Sequence, residues 1–148
     1  MNRYNLAQLN IARLQAPLDS PQLADFVANL DRINLLAEQS AGFVWRCVID
    51  DEDAAVIRPF GDDYIVNLSL WNDMKSLHDF VYRTAHTEIM RRRKEWFHKM
   101  EDSYSVMWWV PVGDRPTESE AKEKLFELRD VGATANAFTF KQFFPSPE

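Results

Sequence analysis

All three histidines of the 148-residue chain, His78, His86 and His98, fall in one run from Trp71 to Met100, WNDMKSLHDFVYRTAHTEIMRRRKEWFHKM. Imidazole titrates near neutral pH, so acid–base chemistry in this chain would centre there. His78, Tyr82 and His86 recur at steps of four, which on a continuous helix sets them in one row. The row flanks an apolar stripe of Met74, Leu77, Val81, Ala85, Ile89, Trp96 and Met100, spaced for the buried face of a helix. A polar row beside a buried stripe can look into a cavity, and His86 is the candidate base or ligand. His98, between Phe97 and Lys99, reads as a surface residue. His78 and His86 lack the four-residue spacing of a helical zinc pair, so no metal site is expected. The one cysteine, Cys47, has no partner for an internal disulfide and reads as a small buried hydrophobe. Arg91, Arg92, Arg93 and Lys94 would fan by about 100° per residue on a helix, giving a solvated face paired with Glu88 and Glu95. Arg46 and Arg83 are better placed to meet an anionic ligand. No glycine-rich phosphate loop, nucleophile elbow or metalloprotease helix occurs in the sequence.

The elements that must position these groups follow from alternation and turn chemistry. Tyr4–Leu14 alternates as a strand, with Leu6, Gln8, Asn10 and Ala12 on one face. Ser20 and Pro21 open a helix whose stripe of Leu23, Phe26, Val27, Leu30, Ile33 and Ala37 stops near Gly42, with Asn34 at its edge. Phe43–Ile49 is a strand, Asp50–Asp53 a solvated acidic turn, Pro59–Asp63 a chain reversal and Tyr64–Trp71 the next strand. Asn72 or Asp73 caps the central helical run, and a break is expected near Thr84. Ser103–Pro111 is a strand, Thr117–Glu120 a capping box opening a helix that stops before Gly132, and Ala137–Phe140 a short edge strand. Residues 141–148 are expected to be a flexible tail. The order βαββαβ plus a further helix predicts one α+β domain, 1–148, of ferredoxin-like type with an antiparallel sheet. Trp108 and Trp109 must point to opposite faces of that sheet, so both faces need cover. Helices supply one cover, and a second copy meeting Leu68, Leu70, Val106 and Trp108 is the expected other. A net charge of −6 argues against a nucleic-acid footprint across the surface. Neither a membrane span nor a signal-peptide layout is present, so a cytoplasmic address is expected.

The strand end VNLSLW and the following run FVYRTAHTEIMRRRKEWF, in this order of elements, resemble the dimeric α/β-barrel superfamily. That superfamily includes antibiotic-biosynthesis and haem-degrading monooxygenases. Within it, RPFGDD, FVY…H…RRR.EWF and WWVP resemble a family labelled a domain of unknown function, over nearly the whole chain. The resemblance implies a homodimer packed sheet to sheet, with a cavity in each subunit between its own sheet and helices. It assigns Asn10, Asn67, Trp71 and Trp109 to that cavity, with Phe80, Tyr82, His78 and Arg83 around a small aromatic or apolar molecule. Cofactor-independent members ionise an electron-rich aromatic substrate and let the substrate itself reduce oxygen. In that scheme His86 is the base, Asn10 and Asn67 hold the developing oxyanion, and no cofactor is needed. Haem is the alternative ligand: Asn10 and His86 match the asparagine and the ligating histidine of haem-degrading members, while Phe80 stands where they carry a tryptophan. A histidine beside two amides in an open cavity would favour the oxygenase. A cavity filled by Phe, Trp and Met side chains would favour a non-catalytic dimer that binds an apolar ligand.

Overall fold

The computed structural model describes residues 3–17, 19–47, 64–83, 86–99 and 103–147, with the side chains of Arg83, His86 and Ile89 outside the described set. The acidic turn at Asp50–Asp53 and the reversal at Pro59–Asp63 lie outside the described residues. Four strands, β1 (Tyr4–Arg13), β2 (Phe43–Arg46), β3 (Tyr64–Trp71) and β4 (Ser105–Pro111), form a sheet in the order β2-β3-β1-β4. Every pairing is antiparallel. The helices are α1 (Ala24–Gln39), α2 (Met74–Arg83), α3 (His86–Arg91), α4 (Arg93–Trp96) and α5 (Glu118–Val131). This strand order is the ferredoxin-like one, with α5 added.

Local chemistry explains most boundaries. Asp73 Oδ1 accepts from the Ser76 amide at 2.8 Å, so the central run starts with an aspartate cap. Thr117 Oγ1 accepts from the Glu120 amide at 3.1 Å, capping α5 as its sequence predicts. Ser20 departs from its expected role: its hydroxyl bonds the Pro17 carbonyl, and a 3-10 turn at Pro21–Leu23 precedes α1. Gly42 has φ of +84°, and a Cβ there would run into Ser76 Oγ. Only glycine lets the turn between α1 and β2 press this closely on the start of α2.

One face of the sheet carries Ala7, Leu9, Ile11, Leu68, Leu70, Val106, Trp108 and Val110, packed with Ala121, Leu125 and Leu128 of α5. This corrects the expectation that a second copy covers Leu68, Leu70, Val106 and Trp108. The stripe of α5 itself needs an apolar partner, and the helix follows directly after β4, so it folds back onto this face. The opposite face carries two separate clusters. In one, Leu6, Trp71 and Met107 pack with Ala37 of α1, Leu77 and Phe80 of α2, and Phe138. In the other, Leu14 packs with Leu23, Phe26 and Trp96. The apolar stripe of the central run is thus divided, Leu77 serving the first cluster and Trp96 the second. A break at Arg92, with φ of −93° and ψ of 3°, separates α3 from α4. Thr84, where a break was expected, lies outside the described residues.

The chain end also differs from expectation. The predicted edge strand reduces to a bridge in which Met107 and Phe138 exchange backbone hydrogen bonds of 2.8 and 2.9 Å. Beyond it, where a frayed tail was expected, Phe143 and Phe144 are half-buried against the first helix-side cluster. Trp109 Nε1 donates to the Phe144 carbonyl at 2.9 Å, and the Phe143 ring stands edge-on to Trp109 at 6.1 Å. The tail packs because its phenylalanines complete an aromatic cluster that the two helices leave open.

Candidate functional site

On the sheet face that meets α1 and α2, each central strand is apolar at its ends and polar in the middle. β1 runs from Leu6 in one cluster through Gln8 and Asn10 toward Leu14 in the other. β3 runs from Trp71 through Ser69 and Asn67 to Ile65. β4 contributes Met107 and then Ser105. The register sets Gln8 opposite Ser69 and Asn10 opposite both Asn67 and Ser105. Side chains on one face of paired strands are neighbours, so these residues form a continuous polar floor between two apolar walls. α1 supplies residues to both walls, Leu30 to one and Ile33 to the other, and Asn34 between them is half-buried.

The floor is internally wired. Gln8 Nε2 donates to Asn67 Oδ1 at 2.9 Å and to Ser69 Oγ at 2.8 Å. Trp71 Nε1 donates to the same Ser69 oxygen at 2.9 Å. Ser69 Oγ thus uses both lone pairs as acceptors, and its own proton is left to donate. Because Asn67 accepts through Oδ1, its Nδ2 hydrogens are turned away from Gln8. Asn10 and Asn67 are both exposed, whereas Ser69 is buried. The arrangement is a pair of neutral amide donors on facing strands, one of them oriented from behind by a glutamine, suited to hold an oxygen atom that carries or develops negative charge.

The residues singled out from the sequence separate into groups here. Asn10 and Asn67 come together on the floor. Trp71 is 1% exposed, stacked at 5.3 Å and 26° on Phe80 and edge-on to Phe43, so it braces the floor from within the core and lines no open space. Phe80 is 8% exposed. Phe80, which stands at the tryptophan position of the haem-degrading members, is thus committed on one face to Trp71. Trp109 is covered by the tail. His78 and Tyr82 are ring neighbours at 4.6 Å, and both meet Phe140 edge-on. The side chains of His86 and Arg83 lie outside the described residues, so the expected approach of His86 to Asn10 or Trp71 does too. Gln8, Ser69 and Ser105 were not picked out from the sequence, although the alternation of β1 and β3 already placed Gln8 with Asn10 and Ser69 with Asn67.

The surrounding charges are specific. Arg92 bonds Glu95 at 2.9 Å and Asp25 at 2.9 Å while stacking over the Trp96 ring at 4.8 Å, tying α4 to α1. These contacts raise the Arg92 pKa and hold the Glu95 carboxyl below the usual carboxylate range. The pairing of the basic run with Glu95 is as expected, but Glu88 pairs with Arg32 at 3.5 Å instead. Arg46 meets Glu38 at 3.6 Å. Burial, followed by the charge of Glu118, raises the Cys47 thiol pKa against the lowering effect of Arg46. Among the described residues no group of three or more His, Cys, Asp or Glu side chains could hold a metal, and no helix is long and apolar enough to cross a membrane.

Comparison with solved structures gives distant likenesses. PA3566 from Pseudomonas aeruginosa is 12% identical, covering 75% of this chain and 96% of its own, with a TM-score of 0.51. That likeness supports the same fold. SnoaB, a cofactor-independent oxygenase from Streptomyces nogalater, is 14% identical over 78% of this chain and 97% of its own, with a TM-score of 0.46. NE2512, a protein of unknown function from Nitrosomonas europaea, is 14% identical over 79% of this chain and 97% of its own, with a TM-score of 0.49. Among curated proteins no sequence matches. Residues 5–148 match the family described as a domain of unknown function, DUF3291, and the chain belongs to that family.

Proposed function

We propose that this chain binds a small aromatic or apolar molecule over the amide floor, with an oxygen of the ligand held by Asn10 and Asn67. The observation that carries the reading is the polar middle of β1, β3 and β4 framed by two apolar clusters on one sheet face. Apolar walls favour the body of such a ligand, and paired amides recognise its oxygen. Monooxygenase-like chemistry follows if a base stands over the floor. His86, the first residue of α3, is the candidate to remove the proton from a phenol or enol. Asn10 and Asn67 would then hold the oxyanion while the electron-rich ring reduces oxygen. The phenylalanines that close the space beside Trp109 favour a second reading, in which the floor binds its ligand without turnover.

The test compares 1-naphthol with naphthalene by calorimetry, alongside oxygen uptake. Removing both amides as Asn10→Ala/Asn67→Ala should weaken naphthol binding about tenfold, the effect of losing hydrogen bonds to a partly charged oxygen. Naphthalene binding should change little. Equal loss for both compounds, or none for either, would end the reading. Oxygen uptake that His86→Ala abolishes while naphthol still binds marks the enzyme, and binding without uptake marks the second reading.

A further inference from the structure

The basic run does not behave as a continuous helix would make it. Because the chain breaks at Arg92, that residue turns toward Asp25, Glu95 and Trp96, while Arg91, Arg93 and Lys94 reach the same hollow. The hollow, about 470 Å³, is lined by Tyr82, Thr87, Met90, Arg91, Arg93 and Lys94. It is shallow and largely open to solvent, so a ligand there would stay partly exposed. None of its lining residues belongs to the amide floor.

Among the described residues, the acids nearest the run are engaged elsewhere. Glu88 is paired with Arg32, and Asp25 and Glu95 with Arg92. Among the described residues Arg91, Arg93 and Lys94 make no ion pair. Arg93 Nη1 instead donates to the neutral Tyr104 hydroxyl at 3.1 Å, which orients the guanidinium without neutralising it. Like charges gathered in one hollow repel one another, and an anion relieves that repulsion. The other lining side chains add an apolar component: Tyr82 is 47% exposed, and its ring meets His78 and Phe140 on one side, while Met90 is half-buried.

We propose that Arg91, Arg93 and Lys94 form a binding site for a small organic anion, a carboxylate or phosphate attached to an aromatic or apolar body that packs on Tyr82 and Met90. A long polyanion is a poor fit, because the chain as a whole carries a net charge of −6 and repels it beyond the hollow.

Biphenyl-4-carboxylate and its neutral counterpart biphenyl-4-carboxamide probe the site by calorimetry at low and high salt. The carboxylate should bind about tenfold more tightly at low salt, as expected for a few partly exposed charge contacts, and the advantage should shrink as salt rises. Arg91→Gln/Arg93→Gln/Lys94→Gln should erase that advantage. Lys75→Gln/Lys122→Gln/Lys124→Gln, which removes the same charge elsewhere, should keep it. If losing the Arg93 bond to Tyr104 prevents folding, Arg91→Gln/Lys94→Gln serves in its place and should lose most of the advantage. Asn10→Ala/Asn67→Ala should leave the advantage intact, so failure here and failure of the amide floor give different results. Equal affinity of the two compounds, no binding of the carboxylate, or a charge advantage that survives in the Arg91, Arg93 and Lys94 variant would overturn the proposal.

Discussion

Gln8→Leu is the perturbation that most directly tests whether the floor is built or merely tolerated. The side chain keeps its approximate volume and loses both donor contacts, 2.9 Å to Asn67 Oδ1 and 2.8 Å to Ser69 Oγ. Each hydrogen bond contributes about 0.5–1.5 kcal/mol net, so the loss should be about 1–3 kcal/mol. Ser69 is buried and keeps its bond from Trp71, which moves the expected value toward the middle of that range. For a domain of this size the melting temperature should fall by about 3–10 °C. The functional effect should be larger than for a distant substitution of equal stability cost, because Asn67 loses the contact that fixes its amide. A double-mutant cycle of Gln8→Leu with Asn67→Ala, read by urea denaturation and by 1-naphthol binding, separates the two effects. Coupling should appear in both readouts. Additive effects in both would mean that Gln8 does not orient Asn67, and the idea of a wired floor would have to be given up.

Three further outcomes follow from the geometry. Gly42→Ala should destabilise by about 1–3 kcal/mol from positive φ alone, with more from the collision with Ser76; Ser76→Gly in the same chain should recover only the second part in chemical denaturation. Glu95 has its carboxyl held low in the fold by Arg92, so its contribution is present above the ordinary carboxylate range and lost as pH falls through the depressed value. Glu95→Gln should therefore flatten the acid limb of a stability–pH profile and leave its alkaline limb unchanged. Trp109→Phe removes the donor to the Phe144 carbonyl, and limited proteolysis should then cut the segment after Phe138 faster while the sheet melts almost as before.

The parts of the fold set by local chemistry were legible from the residues themselves. Alternation in YIVNLSLW placed β3 at Tyr64–Trp71 with its two faces, and the Asp73 and Thr117 caps mark the starts of α2 and α5. What escaped was settled by distant partners. An apolar sheet face and an apolar helix stripe are complementary in kind, and nothing in the residues says whether Leu125 meets its own sheet or another copy's. The break at Arg92 has no glycine or proline to announce it. It arises where Trp96 packs on Phe26 at 5.3 Å and Arg92 reaches Asp25. Phe138, Phe140, Phe143 and Phe144 follow no helix or strand period, and their burial depends on Trp109, His78 and Tyr82, residues far away in sequence.

The floor itself was half legible, and the reason bears on what it is for. A sheet face covered by helices gains about 25 cal/mol for each Å² of apolar surface removed from water, and β-branched residues suit its strands. The opposite face follows that rule from end to end, with Ala7, Leu9 and Ile11 in sequence along β1. On the face toward α1 and α2 the same strand carries Gln8 and Asn10 where two more apolar residues would join the separate clusters into one core. Gln8 is tied into hydrogen bonds that fix Asn67 and Ser69, so it has a structural role. Asn10 is exposed at the centre of the face, where a valine would better suit the strand. Polar residues that interrupt a core and leave it divided act against stability, and such positions are where activity and stability trade against each other. Here the interruption spans three strands, stays within one layer and presents neutral amides rather than charges. That pattern separates the floor from the basic hollow: the first offers directional donors to a single oxygen atom, and the second offers net charge and an apolar wall to a small organic anion.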